Sequence, residues 1–153
     1  RLHQALAAAR RDQTHLALLF LDLDHFKPVN DDYGHAVGDE LLKVVAQRML
    51  ACVRESDTVA RIGGDEFVLL LRSVSDDPGQ TALTVAEKIR EALARAFDID
   101  SKALHISCSI GVAIYPEHGT DDITLAGHAD QAMYLAKQAG RNRVTLFQSV
   151  TTR

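Results

Sequence analysis

Long apolar runs are missing from this sequence. The longest uninterrupted one, Leu16 to Leu21, has six residues, far short of the roughly 20 that a membrane-spanning helix needs. No membrane segment is therefore expected in this chain. A signal peptide is not expected either, because Arg1 leads into an alanine-rich stretch with charged residues inside it. A basic excess is missing too. Seventeen lysines and arginines face 21 aspartates and glutamates, a formal net charge of −4, whereas a duplex nucleic-acid binder usually carries the opposite balance. Nucleic acid is accordingly not an expected partner. Cysteine is scarce: Cys52 and Cys108 lie far apart and form no CxxC, so both read as reduced, buried thiols of a cytosolic protein. There is no low-complexity tract, linker or internal repeat. What is present suits one folded domain with a single core: 153 residues, 46% hydrophobic and 25% charged.

Periodicity orders the chain. Residues 1–12 read as a short helix. His15 to Leu21 is evenly apolar with Asp22 at its end, the pattern of a central strand covered on both faces. Asn30 to Gly34 is a polar interruption. From Ala36 the apolar positions Val37, Leu41, Val45, Met49 and Cys52 recur at helical spacing. Thr58 to Ile62 and Phe67 to Leu71 are short strands around Gly63-Gly64, a tight hairpin. Asp76-Asp77-Pro78 is a helix start, and Ala82, Val85, Ala86, Ile89, Leu93 and Phe97 form the stripe behind it. Leu104 to Tyr115 is a strand, Leu125 to Ala136 a helix stopped by Gly140, and Arg143 to Phe147 a last strand. Interleaved helices and strands with one forced hairpin predict an α/β (α+β) sandwich. Its mixed central sheet is flanked by helices, close to a ferredoxin-like palm.

Two places carry chemistry. Asp22-Leu23-Asp24 closes the central strand, where α/β sheets place ligands, and two carboxylates one residue apart can both reach that rim to offer the oxygen ligands that Mg²⁺ prefers. Alone, such an end is also an ordinary solvated turn. In Gly63-Gly64-Asp65-Glu66-Phe67 the glycines supply positive φ and close backbone approach. Two adjacent carboxylates at a turn are costly unless a cation or proton relieves them. Together the two sites could hold two divalent ions about 4 Å apart, the arrangement of nucleotidyl and phosphoryl transfer.

In order, Leu21-Asp22-Leu23-Asp24-His25-Phe26-Lys27, Asn30-Asp31, Gly34-His35, Gly38-Asp39, Arg61-Ile62-Gly63-Gly64-Asp65-Glu66-Phe67 and Ala129-Asp130 through Ala136-Lys137 to Gly140-Arg141-Asn142 resemble the GGDEF family. These are the diguanylate cyclases, bacterial signalling nucleotidyltransferases that condense two GTP into cyclic di-GMP and release two pyrophosphates. The resemblance runs from about residue 1 to Phe147. It implies that Asp22, the Leu23 carbonyl, Asp65 and Glu66 hold two Mg²⁺ or Mn²⁺ per active site. Asp65 and Glu66 would be the catalytic pair, Asp65 helping to deprotonate the attacking 3′-hydroxyl. Gly63 and Gly64 would lie close to ribose and phosphates, and Lys27, Lys137 and Arg141 would contact the triphosphate. Lys137 and Arg141 are equally ordinary partners of a helix end.

Asn30 and Asp39 resemble the family's guanine readers. A carboxylate accepts from guanine N1–H and N2–H₂ but repels the acceptor at adenine N1, so Asp39 argues for GTP over ATP. The competing reading puts Asn30 in a turn and makes Asp39 a helix cap. Arg54-Glu55-Ser56-Asp57 resembles the RxxD product-inhibition site, which takes cyclic di-GMP, its alternative being a helix-end ion pair. Lys88 stands where a second arginine often completes that site, and lysine lacks the bidentate fork. His25 and His35 have no zinc-like spacing around them. The resemblance further implies a homodimer, since each GTP must attack the other. It also implies a single GGDEF domain over 1–153, truncated at its N-terminus within a larger multidomain protein. The expected location is cytoplasmic, any membrane anchor belonging to the rest of the protein. Two other readings stay open: a catalytically silent GGDEF module that binds GTP or cyclic di-GMP and regulates an attached domain, and a palm-fold cyclase or polymerase with another substrate.

Overall fold

The apolar run that opens at residue 15 becomes strand β1 (His15–Asp24), buried along most of its length and central in the sheet. The computed structural model describes residues 1–74 and 76–148. Within them, helix α1 (Leu2–Asp12) precedes β1, and α2 (Phe26–Tyr33) and α3 (His35–Leu50) follow it. Strands β2 (Thr58–Gly63) and β3 (Glu66–Val74) form the hairpin. Then come α4 (Pro78–Ala94), the small hairpin β4 (Phe97–Ile99) and β5 (Lys102–Leu104), β6 (Ser107–Tyr115), α5 (Asp122–Gln138) and β7 (Arg143–Leu146).

The main sheet has the order β2-β3-β1-β6-β7. Its pairs are antiparallel except β6 with β7, which a helical crossover makes parallel. The path β1-α-β2-β3-α4-β6, with β1 inserted between β3 and β6, is the ferredoxin-like arrangement expected from sequence. Because β1 is covered on both faces, its alternate residues serve two cores. Ala17, Leu19, Leu21 and Leu23 join α2, α3 and α4 on one side. Leu16 and Leu18 join Ala5, Leu6 and Ala9 of α1 and Leu125, Ala129 and Ala132 of α5 on the other. Gly111 lets α5 sit directly on β6, since a Cβ there would fall 2.1 Å from the Met133 nitrogen. That contact brings the end of α5 over the end of β1.

Three expectations are corrected. The polar stretch at 30–34 is largely helix: α2 runs through Tyr33, and its buried residues are only Phe26 and Val29. Phe97 leaves the α4 stripe and starts β4, so the strand expected from Leu104 splits into β5 and β6. Of the two free cysteines, only Cys108 is fully buried, Cys52 being half-buried. Burial raises both thiols above the ordinary range. The α4 start holds as expected, Asp77 accepting from the Gln80 N–H with Pro78 in the first turn; α5 has a cap of the same kind that the sequence reading did not name, Asp121 accepting from the Thr124 N–H at 2.7 Å.

Candidate functional site

At the end of β1, Asp22 pairs in register with Glu66 on β3 and Ser109 on β6. Register partners on adjacent strands share a face, so Asp22 and Glu66 lie side by side on the sheet face that α5 covers at β1 and β6. The hairpin turn is tied to β1 by its backbone, the Leu23 N–H donating to the Asp65 carbonyl at 3.0 Å. Arg61 Nε closes the same turn on the Gly64 carbonyl at 2.8 Å. Gly64 has φ 45°, and among the described residues nothing beyond the adjacent chain lies within 4 Å of where a Cβ would stand at Gly63 or Gly64. Asp65 is half-buried and Glu66 exposed.

Asp22 is 7% exposed. The Lys137 ammonium donates to its Oδ2, while its Oδ1 is buried without a hydrogen-bond partner among the described residues. An orphaned carboxylate oxygen in that position costs free energy unless a cation completes it. The orphaned oxygen and the carboxylate of its register partner Glu66 are the hard oxygen ligands that suit Mg²⁺ or Mn²⁺, so the residues present fit a divalent ion. Among the described residues no three His, Cys, Asp or Glu side chains converge into a ready cage.

Asp24, expected to reach the same rim, is instead satisfied inside the protein. It is 2% exposed and accepts from Ser107 Oγ at 2.7 Å, Ser109 Oγ at 2.9 Å and the Asn142 N–H at 3.0 Å. Sequence reasoning missed this division of labour between Asp22 and Asp24, and the roles of Ser107, Ser109 and Asn142 with it. The only sequence signal was the D-x-D spacing, which puts both carboxylates on one face without saying what each meets.

Asp39 lies inside α3, four residues past its start at His35, and makes no capping bond, so the helix-cap reading is set aside. It opens a groove of about 500 Å³ between α3 and β2 whose lining includes Leu42, Ala46, Val59, Arg61 and Phe67. Asn30 sits in α2, not in a turn. Its buried Oδ1 has no partner among the described residues and packs against Gly38, where a Cβ would come within 1.7 Å of it. Of the three expected phosphate contacts, Lys137 ends α5 beside Asp22. Arg141 follows on the turn into β7, and Lys27 is exposed on α2, paired with Asp31 at 3.0 Å. Burial and the nearby Arg141 charge lower the Lys137 ammonium below the usual lysine range.

Arg54 and Asp57 meet beyond the end of α3. Asp57 accepts from the Arg54 side chain at 3.2 Å and from the backbone N–H groups of Arg54 at 2.9 Å and Arg72 at 3.0 Å. The pair therefore closes a loop against β3 and is not a helix-end pair. Lys88, on α4, lines a different groove with Cys52, Glu91 and Arg95.

A family model described as "Diguanylate cyclase, GGDEF domain" matches residues 1–143. The chain is 48% identical over 149 residues to the bifunctional diguanylate cyclase/cyclic di-GMP phosphodiesterase MucR of Pseudomonas aeruginosa, covering 97% of this chain and 21% of that protein. It is 42% identical over 137 residues to the cyclic di-GMP phosphodiesterase PdeR of Escherichia coli, covering 89% of this chain and 20% of PdeR. It thus spans about a fifth of the length of these relatives. Its fold superposes on the solved GGDEF domain of TpbB (YfiN) from Pseudomonas aeruginosa with a TM-score of 0.92 at 40% identity, covering 98% of this chain and 92% of that one.

Proposed function

The chain belongs to the diguanylate cyclase, GGDEF domain family, and on that premise we propose that it condenses two GTP into cyclic di-GMP with release of two pyrophosphates. The observation that carries this reading is the end of β1: a buried Asp22 oxygen left without a partner, next to a glycine turn hydrogen-bonded to Leu23. Asp22, the Leu23 carbonyl, Asp65 and Glu66 would hold two Mg²⁺ or Mn²⁺. Bound there, the ions would supply charge neutralisation at the α-phosphate and a more acidic 3′-hydroxyl. Asp65 accepts the hydroxyl proton as attack begins. Asn30 and Asp39 orient guanine, the Asp39 carboxylate accepting from N1–H and N2–H₂. Lys27, Lys137 and Arg141 hold the triphosphate, and the open space above Gly63 and Gly64 admits ribose and phosphates.

The product is a ring of two identical halves, so two copies of the domain must face each other. In this reading residues 1–153 form one GGDEF domain of a larger multidomain protein, working in the cytoplasm. Arg54 and Asp57, with Lys88, form the product-inhibition site, where a lysine makes a poorer clamp than arginine. The test is direct: purified domain with GTP and Mg²⁺, followed by chromatography for cyclic di-GMP. GTP bound without product would select the second reading, a silent module regulating an attached domain. The resemblance to PdeR, named a phosphodiesterase, keeps that reading in view.

A further inference from the structure

Residues 140–142 carry the chain from α5 into β7 through a conformation that side chains rarely adopt. Gly140 has φ 124°, Arg141 65° and Asn142 48°. The Arg141 N–H donates to the Ala136 carbonyl at 3.0 Å and the Gly140 N–H to that of Lys137 at 3.3 Å, a Schellman-type close in which glycine supplies the left-handed residue. Arg141 and Asn142 then continue with positive φ although each has a Cβ, which is disfavoured.

Two groups from distant elements brace them. Asp24 on β1 accepts from the Asn142 N–H at 3.0 Å, and Ser107 and Ser109 hydroxyls fix the carboxylate in turn. Arg90 on α4 donates through Nη1 to Asn142 Oδ1 at 2.9 Å, its own fork held by Glu87, with Nε at 2.7 Å. Nothing among the described residues holds the Arg141 guanidinium itself, so its direction is set by the backbone beneath it.

We propose that Asp24, Asn142 and Arg90 are positioning residues that lock the left-handed turn and so aim Arg141 at the outer phosphates of the nucleotide. The inference rests on the reading of Arg141 as a triphosphate contact. A carboxylate fixed by two hydroxyls on neighbouring strand β6 and a guanidinium on α4 thus converge on the one turn residue that directly follows Arg141.

Calorimetry on the domain separates the possibilities, using Mg²⁺ and two probes: a GTP analogue with a methylene α–β bridge, and GMP, which lacks the outer phosphates. Arg90→Ala, on a partly exposed helix face, should weaken the analogue roughly three- to tenfold, the worth of one lost hydrogen bond, and leave GMP unchanged. The isosteric Asp24→Asn should do the same. In an Arg141→Ala background, Arg90→Ala should change analogue affinity less than about twofold, because its effect travels through Arg141. Equal losses for both probes, or losses that add in full to Arg141→Ala, would overturn the inference. It also fails alone if Arg141→Ala weakens the analogue while Arg90→Ala and Asp24→Asn do not. If Arg141→Ala leaves the analogue's affinity unchanged, the triphosphate reading of Arg141 and the inference fall together.

Discussion

The Lys137 ammonium donates to Oδ2 of Asp22, and the other oxygen of that carboxylate is buried with no partner. A lysine occupies the place beside Asp22 that a divalent ion would share in the proposed reaction. It is also held below the usual lysine range by burial and by the Arg141 charge. Asp22→Asn keeps the shape and removes the charge. Cyclic di-GMP formation should fall at least about a hundredfold. The rise in unfolding temperature on adding Mg²⁺ and a GTP analogue should shrink, while the unliganded domain still unfolds cooperatively.

Asp39 tests base choice without threatening the fold. It is exposed and well inside α3, whose N-cap is Gly34, so its replacement removes no cap. Asp39→Ser should reduce the preference for GTP over ATP by roughly ten- to a hundredfold, the cost of leaving guanine donors unmatched. Competition binding of the two nucleotides reads it. An unchanged ratio would remove Asp39 from the base site.

Arg48 should matter to stability and not to chemistry. From α3 it donates to the carbonyls of Ala92 at 2.8 Å, Arg95 at 2.9 Å and Ala96 at 2.7 Å, capping the end of α4, and lies 3.6 Å over the Phe97 ring. Arg48→Ala leaves three carbonyls at a helix end without this partner and should cost about 2–4 kcal/mol in urea unfolding. Arg48→Lys should recover only part, because an ammonium cannot fork across three acceptors.

That contact also explains where the sequence stopped being legible. Phe97 follows Leu93 by four residues, so its place in the α4 stripe looked natural. The end of the helix is capped by a side chain 47 positions before Arg95, a contact that no local pattern reports. The β4–β5 turn escaped for a related reason: Asp100 and Ser101 both take positive φ, 53° and 65°, as a two-residue hairpin requires, but they lack the glycine that would signal it. Helix α2 was hidden because eight residues with two buried positions carry too little periodicity. The central strand, the Gly63-Gly64 hairpin and the α5 stop were legible because each is written locally, in an even apolar run, a glycine pair and a glycine after a stripe. For the candidate site the sequence offered a list of residues to examine, and the separate fates of Asp22 and Asp24 needed the sheet register.

His118 gives the domain an acid-sensitive joint at the opposite end of β6. Its Nδ1 accepts from the Ile114 N–H at 2.9 Å, which requires a neutral ring, and its edge meets Phe147. Burial lowers its pKa below the ordinary 6.5, with Glu117 opposing and His128 reinforcing the shift. The unfolded chain therefore takes up this proton first as pH falls. The group's contribution to stability is complete above pH 6.5, is lost between 6.5 and the lower native pKa, and is flat below that. Urea midpoints between pH 5 and 8 should show the loss, and His118→Asn, which keeps an acceptor but does not titrate, should flatten it.

Rate per domain should depend on concentration. In the proposed reaction each 3′-hydroxyl must attack the other nucleotide's α-phosphate, so one copy holding one GTP could not close the ring. Helix α1 offers little to a stable pair, because Ala5, Leu6 and Ala9 are spent on the core shared with α5. Its outer side presents His3, Gln4, Ala7, Arg10 and Arg11, with no apolar seam of heptad spacing. Encounter between loaded domains then limits turnover, and orientation by a tether can be worth several powers of ten. Specific activity should rise steeply from nanomolar to tens of micromolar enzyme. A parallel dimeric coiled coil fused ahead of Arg1 should lift the low end of that curve most, since it replaces encounter by proximity. A specific rate independent of concentration, from a species that light scattering shows to be monomeric throughout, would mean that a single domain closes the ring, and the two-copy reading would have to be abandoned.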